Sequence, residues 1–112
     1  MSQEFTMPAT MNGYGVISVT TASIAINATN VTLGPNSLPF PTASVPFTLI
    51  VTPQANATGY VNYCPLGGTA VMGNGLILGP GQSATKSIGT NLATTPPTLI
   101  ASTGTISCYI EW

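Results

Sequence analysis

Along most of this chain, apolar and hydroxyl-bearing residues alternate with a repeat of two. In the C-terminal run, Ile106, Cys108, Ile110 and Trp112 fall on one side, and Thr105, Ser107, Tyr109 and Glu111 on the other. Phe47, Leu49 and Val51 alternate with Thr48, Ile50 and Thr52 in the same way. This is the period of a β-strand with one buried face, because successive side chains leave a pleated strand on opposite sides. Short runs rich in Val, Ile and Thr favour the same conformation, since β-branched side chains suit the pleat. The pattern predicts strands over 15–21, 23–28, 30–33, 45–52, 59–64, 69–72, 75–78, 83–88, 98–102 and 104–112. No stretch carries the period of an amphipathic helix.

The breaks between these runs have their own chemistry. Gly34-Pro35-Asn36 and Pro39-Phe40-Pro41 stop a strand, because proline donates no ladder hydrogen bond. Gly73-Asn74-Gly75 tolerates the positive φ of a tight hairpin turn. Gly79-Pro80-Gly81 and Pro96-Pro97 mark further turns. Residues 1–14 hold Met1, Met7, Met11 and Pro8 without periodicity and read as an extended N-terminal arm. Many short strands without a helical period predict an all-β fold, a jelly-roll-like or Greek-key β-sandwich. The expected organisation is an arm over 1–14 followed by one domain over 15–112. The 112 residues suit one domain and not two.

Composition narrows the function more than the fold. Hydrophobic residues make up 44% of the chain and charged residues only 3%, namely Glu4, Lys86 and Glu111. An ordinary soluble domain carries about a quarter charged residues. Polarity comes instead from 18 Thr, 9 Ser, 8 Asn and 3 Gln. Without histidine, Ser-His-Asp and Cys-His catalysis cannot be built within the chain. The two carboxylates lie near opposite termini and make no acid–base pair by sequence. Two cysteines far apart are no zinc motif, and one lysine cannot neutralise a run of phosphates. No apolar run approaches the ~20 residues of a spanning helix. The segment Met1-Ser2-Gln3-Glu4-Phe5-Thr6 lacks the basic start and apolar centre of a secretory signal. The expectation is therefore a non-enzymatic chain with no cofactor, nucleic acid or membrane partner. It is either made and used without such export or already relieved of a signal, and Met1 favours the former.

Few residues offer chemistry of their own. Gly81-Gln82-Ser83-Ala84-Thr85-Lys86-Ser87 has a passing likeness to a phosphate-binding loop, but lacks the glycine before Lys-Ser and a following helix. Lys86 therefore reads as a solvated strand residue. Cys64 and Cys108 lie on separate strands and can either meet in a disulfide or stand as small buried thiols. The alternation mildly favours thiols, since Cys108 shares a face with Ile106 and Ile110 whereas Cys64 is out of phase with Val61 and Tyr63. Three sequons begin at Asn27, Asn30 and Asn56, but they carry little weight in a chain so rich in Asn and Thr. Tyr14, Tyr60, Tyr63, Tyr109 and Trp112 are candidates for a sugar-stacking platform, with ordinary packing the more economical use of the rings.

A surface covered by Thr, Ser and Asn costs little to desolvate and suits a chain packed against copies of itself or a partner. Extended segments without internal hydrogen bonds can lie across such a neighbour. This singles out Phe5, Met7, Met11 and Tyr14 in the arm, and Pro39, Phe40 and Pro41 in the proline-interrupted segment, as partner-binding candidates. Small, helix-poor, charge-poor chains rich in Thr, Gly and Asn resemble the capsid decoration, or cement, proteins of tailed bacteriophages. The stretches Gly59-Tyr60-Val61-Asn62-Tyr63 and Gly73-Asn74-Gly75-Leu76-Ile77-Leu78-Gly79-Pro80-Gly81-Gln82-Ser83 are similar to a strand–turn–strand pattern recurrent in phage β-domains. That resemblance implies a virion structural protein, made in the host cytoplasm, that clasps major capsid subunits and stabilises the shell, with self-association as an expected property. Leu78-Gly79-Pro80-Gly81-Gln82-Ser83 also resembles a turn of bacterial Ig-like surface modules. The alternative is thus a carbohydrate-binding or Ig-like adhesion module.

Overall fold

Residues 13–41, 46–89 and 95–112 are described by a computed structural model. These residues form nine strands: β1 (Tyr14–Val19), β2 (Ile24–Ala25), β3 (Thr32–Leu33), β4 (Phe47–Pro53), β5 (Val61–Cys64), β6 (Leu76–Leu78), β7 (Ala84–Ile88), β8 (Thr98–Ala101) and β9 (Ile106–Glu111). The larger sheet runs β3-β1-β9-β4-β7 and the smaller β2-β8-β5-β6. Every pairing is antiparallel.

The period of two becomes the two faces of these sheets. Ile17 and Val19 on β1, Leu49 and Val51 on β4, and Ile106, Cys108 and Ile110 on β9 are buried and form the inner face of the larger sheet. Val61 and Tyr63 on β5, with Leu99 and Ala101 on β8, meet them from the smaller sheet in one apolar cluster. β9 lies between β1 and β4, pairing Gly15 with Ile110 on one side and Val51 with Ile110 on the other. The ladder extends past β1, where Gly13 and Trp112 exchange both backbone hydrogen bonds at 2.9 and 3.0 Å. Gly13 and Tyr14 therefore belong to the sheet, two residues earlier than the sequence pattern places its start. Residues 1–12 of the expected arm, with Phe5, Met7 and Met11, lie outside the described residues.

Two expected strands need correction. Residues 69–72 form no strand: the Ala70 N–H donates to Ser23 Oγ at 2.8 Å and the Val71 N–H to Asn74 Oδ1 at 3.2 Å. Positive φ at Gly67, Gly68 and Gly73 bends this stretch away from a ladder. The run 23–28 shortens to Ile24–Ala25, because the Asn27 side chain accepts from the Asn30 N–H at 2.9 Å and closes a turn. The loop from Pro65 to Gly75 joins β5 to β6, so Gly73-Asn74-Gly75 ends a long connection and not a tight hairpin.

Cys64 and Cys108 are both free and both buried, on different sheets. Burial raises the Cys108 thiol from its ordinary 9.0 to about 12, and the Tyr63 phenol from 10.0 to about 12. Unfolding frees both groups to ionise at their ordinary values, so the unfolded chain binds fewer protons above pH ~9. Their contribution to stability is complete below that pH and is lost as pH rises towards 12. Urea melts at pH 8, 9.5 and 11 should show falling stability over the last two, and Cys108→Ala should flatten the fall by up to about one proton. Ile110→Ala, at the centre of the larger sheet, should cost about 2–5 kcal/mol in the same melts at neutral pH.

Candidate functional site

The outer face of the smaller sheet is where polar chemistry is concentrated. Asn62 and Cys64 point away from the core side occupied by Val61 and Tyr63, yet all four residues of β5 are buried. The Pro65–Gly75 loop folds back over them. Asn62, fully buried, accepts from the Gly73 and Gly75 N–H groups at 3.0 Å each, through its Oδ1. Its Nδ2 donates to Asn74 Oδ1 at 3.2 Å and to Cys64 Sγ at 3.4 Å. Thr98 Oγ1 on neighbouring β8 holds the other end of the loop through the Gly68 carbonyl at 2.8 Å. Gly75 has no room for a side chain, since a Cβ there would lie 2.5 Å from the Tyr63 carbonyl oxygen. These contacts pin the loop, and a cleft of about 270 Å³ between Cys64, Leu66, Thr69 and Asn74 remains beside them.

The same hairpin displays apolar side chains outward. Tyr60, Leu66, Val71, Met72, Leu76 and Ile77 are exposed, from 37% at Met72 to 77% at Leu66. β6 has β5 on one side and, among the described residues, no strand on the other. Leu76 has the inward parity of Tyr63, its register partner, but sits half-exposed at the rim, while Ile77 pairs with Asn62 on the outer face. The charged side chains among the described residues, Lys86 on β7 and Glu111 on β9, are both on the larger sheet. The described smaller sheet carries none.

On the outer face of the larger sheet, the Tyr14 and Tyr109 rings lie 6.2 Å apart and tilted by 42°. The Tyr14 hydroxyl donates to the Pro35 carbonyl at 2.7 Å. Partial burial, then the negative charge of Glu111 and the neighbouring Tyr14, raise the Tyr109 phenol above its usual value.

The sequence candidates distribute unevenly over these surfaces. Tyr14 is half-buried in β1, and its N–H donates to Ser37 Oγ at 2.8 Å. Pro39 is exposed and accepts from Trp112 Nε1 at 3.1 Å. Phe40 is 5% exposed, its ring packed edge-on against Trp112 at 4.9 Å and Phe47 at 5.9 Å. That ring belongs to the chain's own core. Pro41 is half-buried beside it. Of the five rings proposed for a sugar platform, only Tyr14 and Tyr109 come together; Tyr63 is in the core and Tyr60 stands on the other sheet's hairpin. Sequence reasoning missed Asn62, Leu66 and Leu76. An Asn between Val61 and Tyr63 in a strand was the available signal for the first.

Among the described residues there is no group of three or more metal-ligating side chains and no helix long and apolar enough to cross a membrane. Comparison of this chain with protein-family models, with curated proteins and with solved structures found no match.

Asn62→Ala would strip the acceptor from two backbone N–H groups, and should cost about 2–4 kcal/mol. It should also speed the reaction of Cys64 with a thiol reagent under native conditions, read by mass spectrometry of the labelled peptide. Tyr63 is the opposite case: its hydroxyl is buried with no hydrogen-bond partner among the described residues. Tyr63→Phe should leave stability unchanged or raise it by up to about 1–2 kcal/mol in denaturant melts.

Proposed function

We propose that this chain is a non-enzymatic structural component of a virion, a decoration protein that binds major capsid subunits and stabilises the shell. The observation that carries the reading is the surface of the smaller sheet. It has no charge among its described residues, it ends in an edge strand paired on one side, and its hairpin turns leucine, isoleucine, valine and methionine outward. Such a surface is poor at keeping a free protein apart from its neighbours and costs little to desolvate in an assembly. The two antiparallel sheets supply a rigid body of the kind a shell contact needs. A jelly-roll or Greek-key winding, an extended arm over residues 1–14 and a place on the capsid exterior are part of this reading.

A second reading, as a carbohydrate-binding or adhesion module, is favoured by the Tyr14–Tyr109 pair beside Glu111. The tilt of 42° between the rings leaves no flat shelf for a pyranose face, which places this reading second. It requires that tyrosine fluorescence respond to millimolar sugars and that Tyr109→Ala abolish the response.

The decisive measurement is co-sedimentation with purified particles, with copy number from quantitative mass spectrometry. The expected result is a fixed ratio to the major shell protein. Absence from every particle fraction removes the structural reading. Removal of residues 1–12, which spares the Gly13–Trp112 pairing, should weaken particle binding while leaving the melting temperature within a few degrees. Undiminished decoration by that truncated chain would exclude the arm from the contact.

A further inference from the structure

The four sheet edges differ in how they discourage pairing with another chain. Strands β2 and β3 are only two residues long, too short to template much of a ladder. β7 is longer, but Lys86 sits on it opposite Leu49, at inward parity on the rim of the sheet. An inward charge on an edge strand is a strong deterrent, because another strand docking there would have to bury it. β6, at three residues, is only one residue longer than β2 and β3, but it carries no chemical deterrent. Its sequence is Leu76-Ile77-Leu78, with no charge, proline or bulge, and Leu76 and Ile77 are exposed.

We propose that β6 is the edge through which two copies of this chain pair, antiparallel and about a two-fold axis at Ile77. The register follows from the side-chain faces. With Ile77 opposite Ile77, Leu76 of each copy stands opposite Leu78 of the other, so inner-face leucines meet inner-face leucines. The outer-face isoleucines meet each other on the axis. The result is one continuous sheet of eight strands, with the half-exposed Leu76 covered. Charge favours a second copy as the occupant. An uncharged edge offers nothing to a charged partner, and β6 of a second copy meets it with an equally neutral, apolar edge. Both described charges sit on the other sheet, and the net charge of −1 brings little repulsion between copies. The Asn62-pinned loop holds Val71 and Met72 beside the edge as a rim fixed before binding, which lowers the ordering cost of association.

The pairing rests on the structural-component reading only for its purpose; the contact itself belongs to the isolated chain. Sedimentation velocity of the full chain from micromolar to millimolar concentration should show a monomer–dimer equilibrium that hardly changes between low and high salt. Ile77→Lys should weaken it by at least about tenfold, with circular dichroism reporting whether that variant is folded. Ile77→Cys should give a disulfide-linked dimer on mild oxidation, since directly opposed strand residues are within bridging distance. Thr85→Cys, on the exposed face of β7, should not. A wild-type chain that stays monomeric throughout overturns the proposal. So does a dimer that a folded Ile77→Lys variant retains, or one in which Ile77→Cys cross-links no better than Thr85→Cys. Particle co-sedimentation reports separately on the capsid reading, so either idea can fail alone.

Discussion

The larger sheet depends on one strand having two neighbours. β9 pairs with β1 along six register positions and with β4 along four, and β1 and β4 touch no common strand besides it. Without β9, β3-β1 and β4-β7 would be separate two-stranded ribbons, and such ribbons are marginal in water. The inner face of β9 also supplies Ile106, Cys108 and Ile110 to the core against the smaller sheet. The Gly13–Trp112 exchange then joins the beginning of the described chain to its end, and Trp112 in turn seats Phe40 and Pro39. Thus the 34–41 segment is held at one end by Tyr14 of β1 and at the other by Trp112, the residue that follows β9.

With so few charges, the fold is held by apolar burial and by neutral hydrogen bonds. That makes the geometry of those bonds matter more than usual, because a misplaced amide has no ionic alternative. Asn62 is the clearest case, with one buried side chain serving two backbone donors, one amide and one thiol. Thr98 and Ser23 act on the same loop from neighbouring positions. Together they convert an 11-residue connection into a fixed cover over the outer face of the smaller sheet. The same cover presents Leu66, Val71 and Met72 to solvent.

The two sheets consequently have different characters at their rims. At the β7 edge an inward-parity position holds Lys86; at the β6 edge the comparable position holds Leu76. One rim carries a charge that discourages further pairing and the other is apolar. This asymmetry links the fold to the functional proposals: an assembly contact needs at least one surface that desolvates cheaply, and the charged rim limits growth from the other side.

Much of the architecture was legible in the chain. The alternation through Ile106, Cys108 and Ile110, and through Phe47, Leu49 and Val51, determined strands with one buried face, because the period of two is a property of the backbone. The glycines and prolines between the runs determined where ladders stop. The strand expected at 69–72 failed for the same kind of reason: Val71 and Ala70 have strand propensity, but their donors are taken by Ser23 and Asn74, which are remote or unremarkable in sequence. The candidate site was less legible. Phe40 reads as an exposed aromatic between prolines, and only the approach of Trp112 and Phe47 makes it core. By itself the sequence determined an all-β, charge-poor chain with strands of known phase. Strand order, the burial of Asn62 and the place of β6 at a sheet edge were decided only by the tertiary structure. Each depends on which distant strand lies alongside, and local periodicity carries no information about that.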